Sequence, residues 1–149
     1  MRIYPGISIV TLGVADVRRA SLFYQRLGWR MSVAASNAAI SFFTLNAIVL
    51  ALFGREALAA DSGLPAIRGD ASPGAFSGVT LAQNHPSEIA VRQAMDDALS
   101  AGASELVPPS ATSWGGYHAV FADPDGHVWE LAYNPFFALS ADGGVELPD

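Results

Sequence analysis

Ile7-Ser-Ile-Val-Thr-Leu-Gly-Val14 is the first strand-like stretch of the chain, and Phe76-Ser-Gly-Val-Thr-Leu-Ala-Gln83 repeats its pattern. The shared S-x-V-T-L sets Gly78 against Ile9, an offset of 69 in a chain of 149 residues. Each copy runs into a helical pattern closed by a glycine, Gly28 in the first half and Gly102 in the second. More strand-like segments follow each helix. Self-similarity at a fixed spacing marks a supersecondary unit used more than once. The expected fold class is therefore α+β, with two βαβββ modules in tandem. A pocket between two such sheets would draw walls from both halves.

The local signals agree with that plan. After a strand over 8–14, Asp16 is a good N-cap for a helix to Leu27, with Val17, Ala20, Tyr24 and Leu27 on one face. Gly28 is the expected left-handed stop. Strands are expected over 30–34, 39–45 and 48–53, then a short helix over 55–60. The Gly-, Pro-, Asp- and Ser-rich stretch 61–74 reads as a linker. The second module repeats the order with a strand over 75–84, a helix from Pro86 to Ala101, and strands over 105–107, 117–122 and 127–134. Val91, Ala94, Met95 and Ala98 form its buried stripe, and Glu88 and Arg92 are placed for an exposed i, i+4 pair. The organisation is thus a first module 1–60, a linker 61–74, a second module 75–137 and a tail 138–149 whose acidic end is expected to fray.

Composition narrows the partners. The chain is 51% hydrophobic and 15% charged, with mean hydropathy +0.30. Its longest unbroken apolar run, Ala47 to Phe53, is far below the roughly 20 residues a bilayer span requires. No membrane partner is expected, and the excess fills a large core, a greasy pocket or a subunit interface. Net charge is −6 with a pI near 4.8, and the eight basic residues form no block longer than Arg18-Arg19. Phosphate binding needs a clustered positive surface, so nucleic acid is not an expected partner. There is no cysteine, which excludes disulfides and thiolate chemistry. No signal-peptide core precedes Pro5-Gly6, so a cytoplasmic location is expected.

With the repeat, three further motifs carry a resemblance: Phe23-Tyr24 ahead of Gly28, Trp114-Gly-Gly116, and Ala122-Asp-Pro-Asp-Gly-His-Val-Trp-Glu-Leu131. Over about residues 6–137 the chain resembles the vicinal oxygen chelate superfamily, the group of glyoxalases, bleomycin resistance proteins and extradiol dioxygenases. The resemblance implies that each module's sheet curls and that the paired modules form a curved mixed sheet around a cup, in a homodimer. Whether each cup is built from one chain or two stays open. In metal-using members, His, Gln or Glu stand at four inward positions on the first and last strands of each module. Those positions map onto Ile9, Leu50, Gly78 and Glu130. One carboxylate cannot hold a divalent metal that needs three or more N or O donors. No metal and no cofactor is therefore expected.

Asp123-Pro-Asp-Gly126 has the residues of a tight turn, with Asp first, Pro second and Gly fourth. If it closes a hairpin in which His127 pairs with Asp123, Val120 falls opposite Glu130. Alternation then puts His118, Val120, Glu130 and Ala132 on the cup face and Tyr117, Phe121, Trp129, Leu131 and Tyr133 on the other. His118 becomes the diagonal neighbour of Glu130. A carboxyl and an imidazole in an apolar pocket can act as base and acid near neutral pH. Glu130 and His118 are therefore the catalytic candidates. Ile9, Leu50, Phe76, Gly78, Trp114 and Val120 are the ligand-facing candidates, with Trp114 either an aromatic lid or a packed turn. A greasy cup favours a small, largely apolar or aromatic molecule.

The expected function is metal-independent binding of such a molecule, with acid-base chemistry at Glu130 if the protein is an enzyme. The alternative is a metal-dependent, glyoxalase-like lyase or extradiol-type dioxygenase with ligands at other positions, His118 and Glu130 among them.

Overall fold

The computed structural model of the chain describes residues 3–65 and 75–149. The chain divides into two units with the boundary after residue 66. The first holds β1 (Ile9–Val14), α1 (Val17–Arg26), β2 (Arg30–Met31), β3 (Ile40–Thr44), β4 (Val49–Gly54) and α2 (Arg55–Asp61). The second holds β5 (Thr80–Asn84), α3 (Glu88–Ala101), β6 (Ser104–Ala111), β7 (Tyr117–Ala122) and β8 (Val128–Tyr133), followed by β9 (Ala138–Leu139) and β10 (Val145–Glu146). Each unit is a βαβββ module with a four-stranded mixed sheet, ordered β1-β4-β3-β2 in one and β5-β8-β7-β6 in the other. Of the expected linker 61–74, Asp61 ends α2, and 66–74 lies outside the described residues.

The helix ends follow the side chains present. Asp16 Oδ1 accepts from the Arg19 backbone N–H at 2.9 Å and starts α1. Gly28 follows with φ +83°, a conformation glycine adopts without strain. α3 is capped by Ser87, whose Oγ accepts from the Ala90 N–H at 3.1 Å. Pro86, expected as its first residue, therefore stands one residue before the cap. Gly102 ends α3 in the left-handed region at φ +110°. Arg92 does not pair with Glu88 but lies over the Tyr117 ring, 4.9 Å from its centroid.

In the first sheet, β1 runs parallel to β4 with Leu12 beside Leu52, and Phe43 of β3 faces Leu50. Leu12, Val14, Phe43, Leu50 and Leu52 are buried together with Ala20, Phe23 and Tyr24 of α1. Tyr24 packs edge-on against Phe23 and tilted against Phe43 and Trp29. A polar pair lies within this layer: Ser21 Oγ donates to the Val17 carbonyl at 2.6 Å and sits 2.8 Å from Ser41 Oγ. Ser41 pairs with Leu52, so all of these residues mark the helix-covered face.

The second sheet is covered by α3 through Val91, Met95, Ala98 and Ala101, with Tyr117, Ala119, Phe121, Trp129 and Leu131 buried beneath. Phe121 and Trp129 stack with centroids 6.4 Å apart. The tail carries β9 and β10, which pair as a small hairpin turned by Ser140–Gly144 with Gly143 at φ +84°, and residues 147–149 beyond it form no regular element. Among the described residues no helix is long and apolar enough to cross a membrane.

Candidate functional site

The turn after β7 forms as its residues require. The Gly126 N–H donates to the Asp123 carbonyl at 3.0 Å and the Asp123 N–H to the His127 carbonyl at 2.9 Å. The buried Asp123 carboxylate accepts from the backbone N–H groups of Asp125 and His127, each at 2.9 Å. That use of its oxygen makes Asp123 a structural residue. With the turn set, β7 and β8 pair Val120 with Glu130 and His118 with Ala132.

Alternation carries His118, Val120, Val128, Glu130 and Ala132 to the face of the second sheet away from α3. Ala82 of β5 stands directly beside Glu130. From β6, Ser110 lies beside His118 and Val107 beside Val120, with register shifts between these two pairs. His118 Nδ1 approaches Glu130 Oε1 to 3.4 Å, and each side chain keeps about three-tenths of its surface exposed (28% and 30%). A carboxylate and an imidazole thus meet on a face whose other side chains are Val107, Val120, Val128, Ala82 and Ala132, with the polar Thr80, Asn84, Ser104 and Ser110 on its outer strands.

Three ligand-facing expectations need correction in placement. Leu50 is 1% exposed and lies on the helix-covered face of its sheet. Ala51, opposite Phe42 and beside Thr11, holds the position on the far face. A slip of one residue in strand parity exchanges the faces, and β4 gives no alternation from which to read parity, being apolar from Val49 to Phe53. Gly78 lies before β5 at φ +93°, outside the extended region, so the strand expected from residue 75 begins at Thr80. Phe76 precedes that strand and is 67% exposed. Ile9 does reach the far face of the first sheet, and it is half exposed.

Trp114 belongs to the β6–β7 turn. Thr112 Oγ1 accepts from the Gly116 N–H at 2.9 Å, and the Thr112 N–H donates to the Gly116 carbonyl at 3.0 Å. The indole lies against Gly116 so closely that a Cβ there would sit 1.9 Å from its Cζ3 atom. The Phe136 ring lies less closely over Gly115, 3.2 Å from where a Cβ would sit. The packed-turn reading of Trp114 accounts for this geometry, and 45% of the residue stays exposed.

The family's metal does not fit the donors present. On the far face of the first sheet Ile9, Thr11, Phe42, Ala51 and Phe53 offer neither imidazole nor carboxylate. On that of the second, His118 and Glu130 are a set of two, short of the three a divalent site needs. Among the described residues no group of three or more His, Asp or Glu side chains is gathered to hold a metal ion.

From the sequence, His85 beside Pro86 is expected to cap or flank the second helix, and in the structure Ser87 is the cap while His85 directly follows β5. Its backbone N–H donates to the Ala132 carbonyl at 2.7 Å, while its ring Nε2 is buried without a hydrogen-bond partner among the described residues. Burial holds its pKa below the ordinary 6.5 of imidazole, because the charged form loses hydration. The Tyr117 hydroxyl, from the helix-covered face, is likewise buried and unpartnered. The signal available in the sequence was the position of His85 at the end of an alternating strand.

Comparison with known proteins agrees with the architecture. The model of the Glyoxalase/Bleomycin resistance protein/Dioxygenase superfamily matches residues 6–131, and the chain belongs to that superfamily. A glyoxalase-related enzyme from Fulvimarina pelagi is 32% identical, with TM-score 0.84 over 98% of this chain and all of that one. A glyoxalase/bleomycin resistance protein/dioxygenase family enzyme from Burkholderia phytofirmans PsJN shares the fold at 22% identity, with TM-score 0.69 over 85% of this chain and 96% of that one. Lactoylglutathione lyase from Agrobacterium tumefaciens does so at 18% identity, with TM-score 0.64 over 89% and 96%. Among curated proteins no match was found.

Proposed function

We propose that this superfamily member binds a small, largely apolar or aromatic carbonyl compound without a metal, on the face of the second sheet that carries His118 and Glu130. The observation that supports the reading is the 3.4 Å approach of these two groups on a face where Val107, Val120, Ala82 and Ala132 surround them and Thr80, Asn84 and Ser110 add polar groups. Apolar walls supply the contact area, and a few convergent polar groups fix orientation. Glu130 takes the role of base toward a hydrogen on the carbon beside the carbonyl, and His118 donates to the carbonyl oxygen. A homodimer is the expected assembly, which light scattering after gel filtration reads directly.

The test pairs elemental analysis with a titration. Protein loaded with zinc, manganese or iron should retain no stoichiometric metal. Acetophenone should give saturable amide shifts at His118, Val120 and Glu130, weakened at least tenfold in Glu130→Ala. Near-stoichiometric metal lost in that variant would replace this reading with a metal-dependent lyase or dioxygenase.

A further inference from the structure

The first unit has an open groove of its own, about 580 Å³, lined by Arg30, Met31, Ser32, Val33, Ala34 and Thr44, of which Arg30, Val33, Ala34 and Thr44 are exposed. That volume is within the range of small-molecule sites, about 300–1,000 Å³. Arg30 and Thr44 stand opposite each other across the β2–β3 pair. They share the face away from α1, since their neighbours Met31 and Phe43 pair toward it. The Arg30 guanidinium makes no ion pair or hydrogen bond with any described residue.

The wall after β2 is held in place by its own short polar side chains. Ser32 Oγ accepts from the Ala35 N–H at 3.3 Å, and the Ser36 N–H donates to the Ser32 carbonyl at 3.1 Å. Ser36 Oγ accepts from the Phe42 N–H at 3.0 Å. Asn37 Oδ1 takes the N–H groups of Ala39 and Ile40. Val33, within this braced turn, is 78% exposed. A preformed apolar wall beside an unpaired guanidinium lowers the ordering cost of binding.

Charge decides what such a site takes. Residues 1–66 carry six arginines against three carboxylates, whereas residues 67–149 carry two arginines against eleven carboxylates. An anion is therefore favoured in the first unit and repelled from the second. One guanidinium presents a planar fork that matches the two oxygens of a carboxylate.

We propose that the groove beside β2 is a ligand site for a small carboxylate with an apolar or aromatic body. Arg30 holds the carboxylate, and Val33 and Ala34 hold the body. This proposal draws on no residue of the second unit.

Residue-resolved titration of the full chain with phenylacetate tests it. Saturable amide shifts are expected at Arg30–Ala34 and Thr44, with affinity falling at least tenfold in Arg30→Met and partly kept in Arg30→Lys. The neutral analogue 2-phenylethanol should bind these residues at least tenfold more weakly. Absence of saturable shifts there overturns the proposal, as does equal affinity of the neutral analogue or of Arg30→Met. Shifts confined to the neighbourhood of His118 and Glu130 would also overturn it and would leave the reading of that other face standing. Arg30 is exposed, so its replacement leaves the core untouched.

Discussion

His118 and Glu130 come within 3.4 Å of each other although neither is the other's direct partner across the hairpin: His118 pairs with Ala132, and Glu130 with Val120. Their contact is diagonal, and it exists because the Asp123–Gly126 turn fixes the β7–β8 register. Each side chain keeps access to solvent, so the pair is a weak structural element. A double-mutant cycle with His118→Ala and Glu130→Ala should give a coupling to stability under about 1 kcal/mol, as for partly exposed ion pairs. Coupling above about 2 kcal/mol in chemical denaturation would mean that the pair serves the fold.

The placement of Leu50 on the helix-covered face and Ile9 on the far face has a thermodynamic consequence. Leu50→Ala should cost about 2–5 kcal/mol, the usual penalty for emptying a well-packed site. Ile9→Ala, at a half-exposed position, should stay within about 1 kcal/mol. Denaturant midpoints of the two variants measure this directly, and equal costs would refute the face assignment.

Gly116 is held by packing as well as by its turn. A methyl group there would meet the Trp114 ring at 1.9–2.0 Å and the Tyr133 carbonyl oxygen at 2.7 Å. Gly116→Ala should therefore destabilise by about 1–3 kcal/mol, as overpacking does. Adding Trp114→Ala should recover only part of that loss, because the backbone oxygen stays. Full recovery, read from thermal melts, would place all of the strain in the indole.

Acid should weaken the fold through His85. Its folded-state pKa lies below 6.5, so above that pH both folded and unfolded chains hold it neutral and nothing is lost. As pH falls below 6.5 the unfolded chain takes up a proton that the folded chain resists. Stability then declines until the depressed folded-state value is passed. His85→Gln should flatten the stability profile in that window relative to the parent chain. Parallel profiles would show that other groups carry the acid response.

Much of this protein was legible in its residues alone. The S-x-V-T-L repeat, Asp16 and the terminal glycines of the helices specify two βαβββ modules, because caps and periodicity act within a few residues of chain. Asp123-Pro-Asp-Gly126 likewise determined the register that joins His118 to Glu130, since a turn's hydrogen bonds are local. The tertiary structure decided what depends on partners far along the chain. Leu50 went to the helix side because β1 and β3 set the parity of an all-apolar β4. Gly78 left the strand because its backbone turned to positive φ. His85 lost its hydration only when β5 settled beside β8, and Trp114 found its seat in the close fit against Gly116. The groove at Arg30 arose where Ser36 and Asn37 tied the turn after β2 to β3. Local rules name the elements, whereas burial and parity are properties of the assembled sheet.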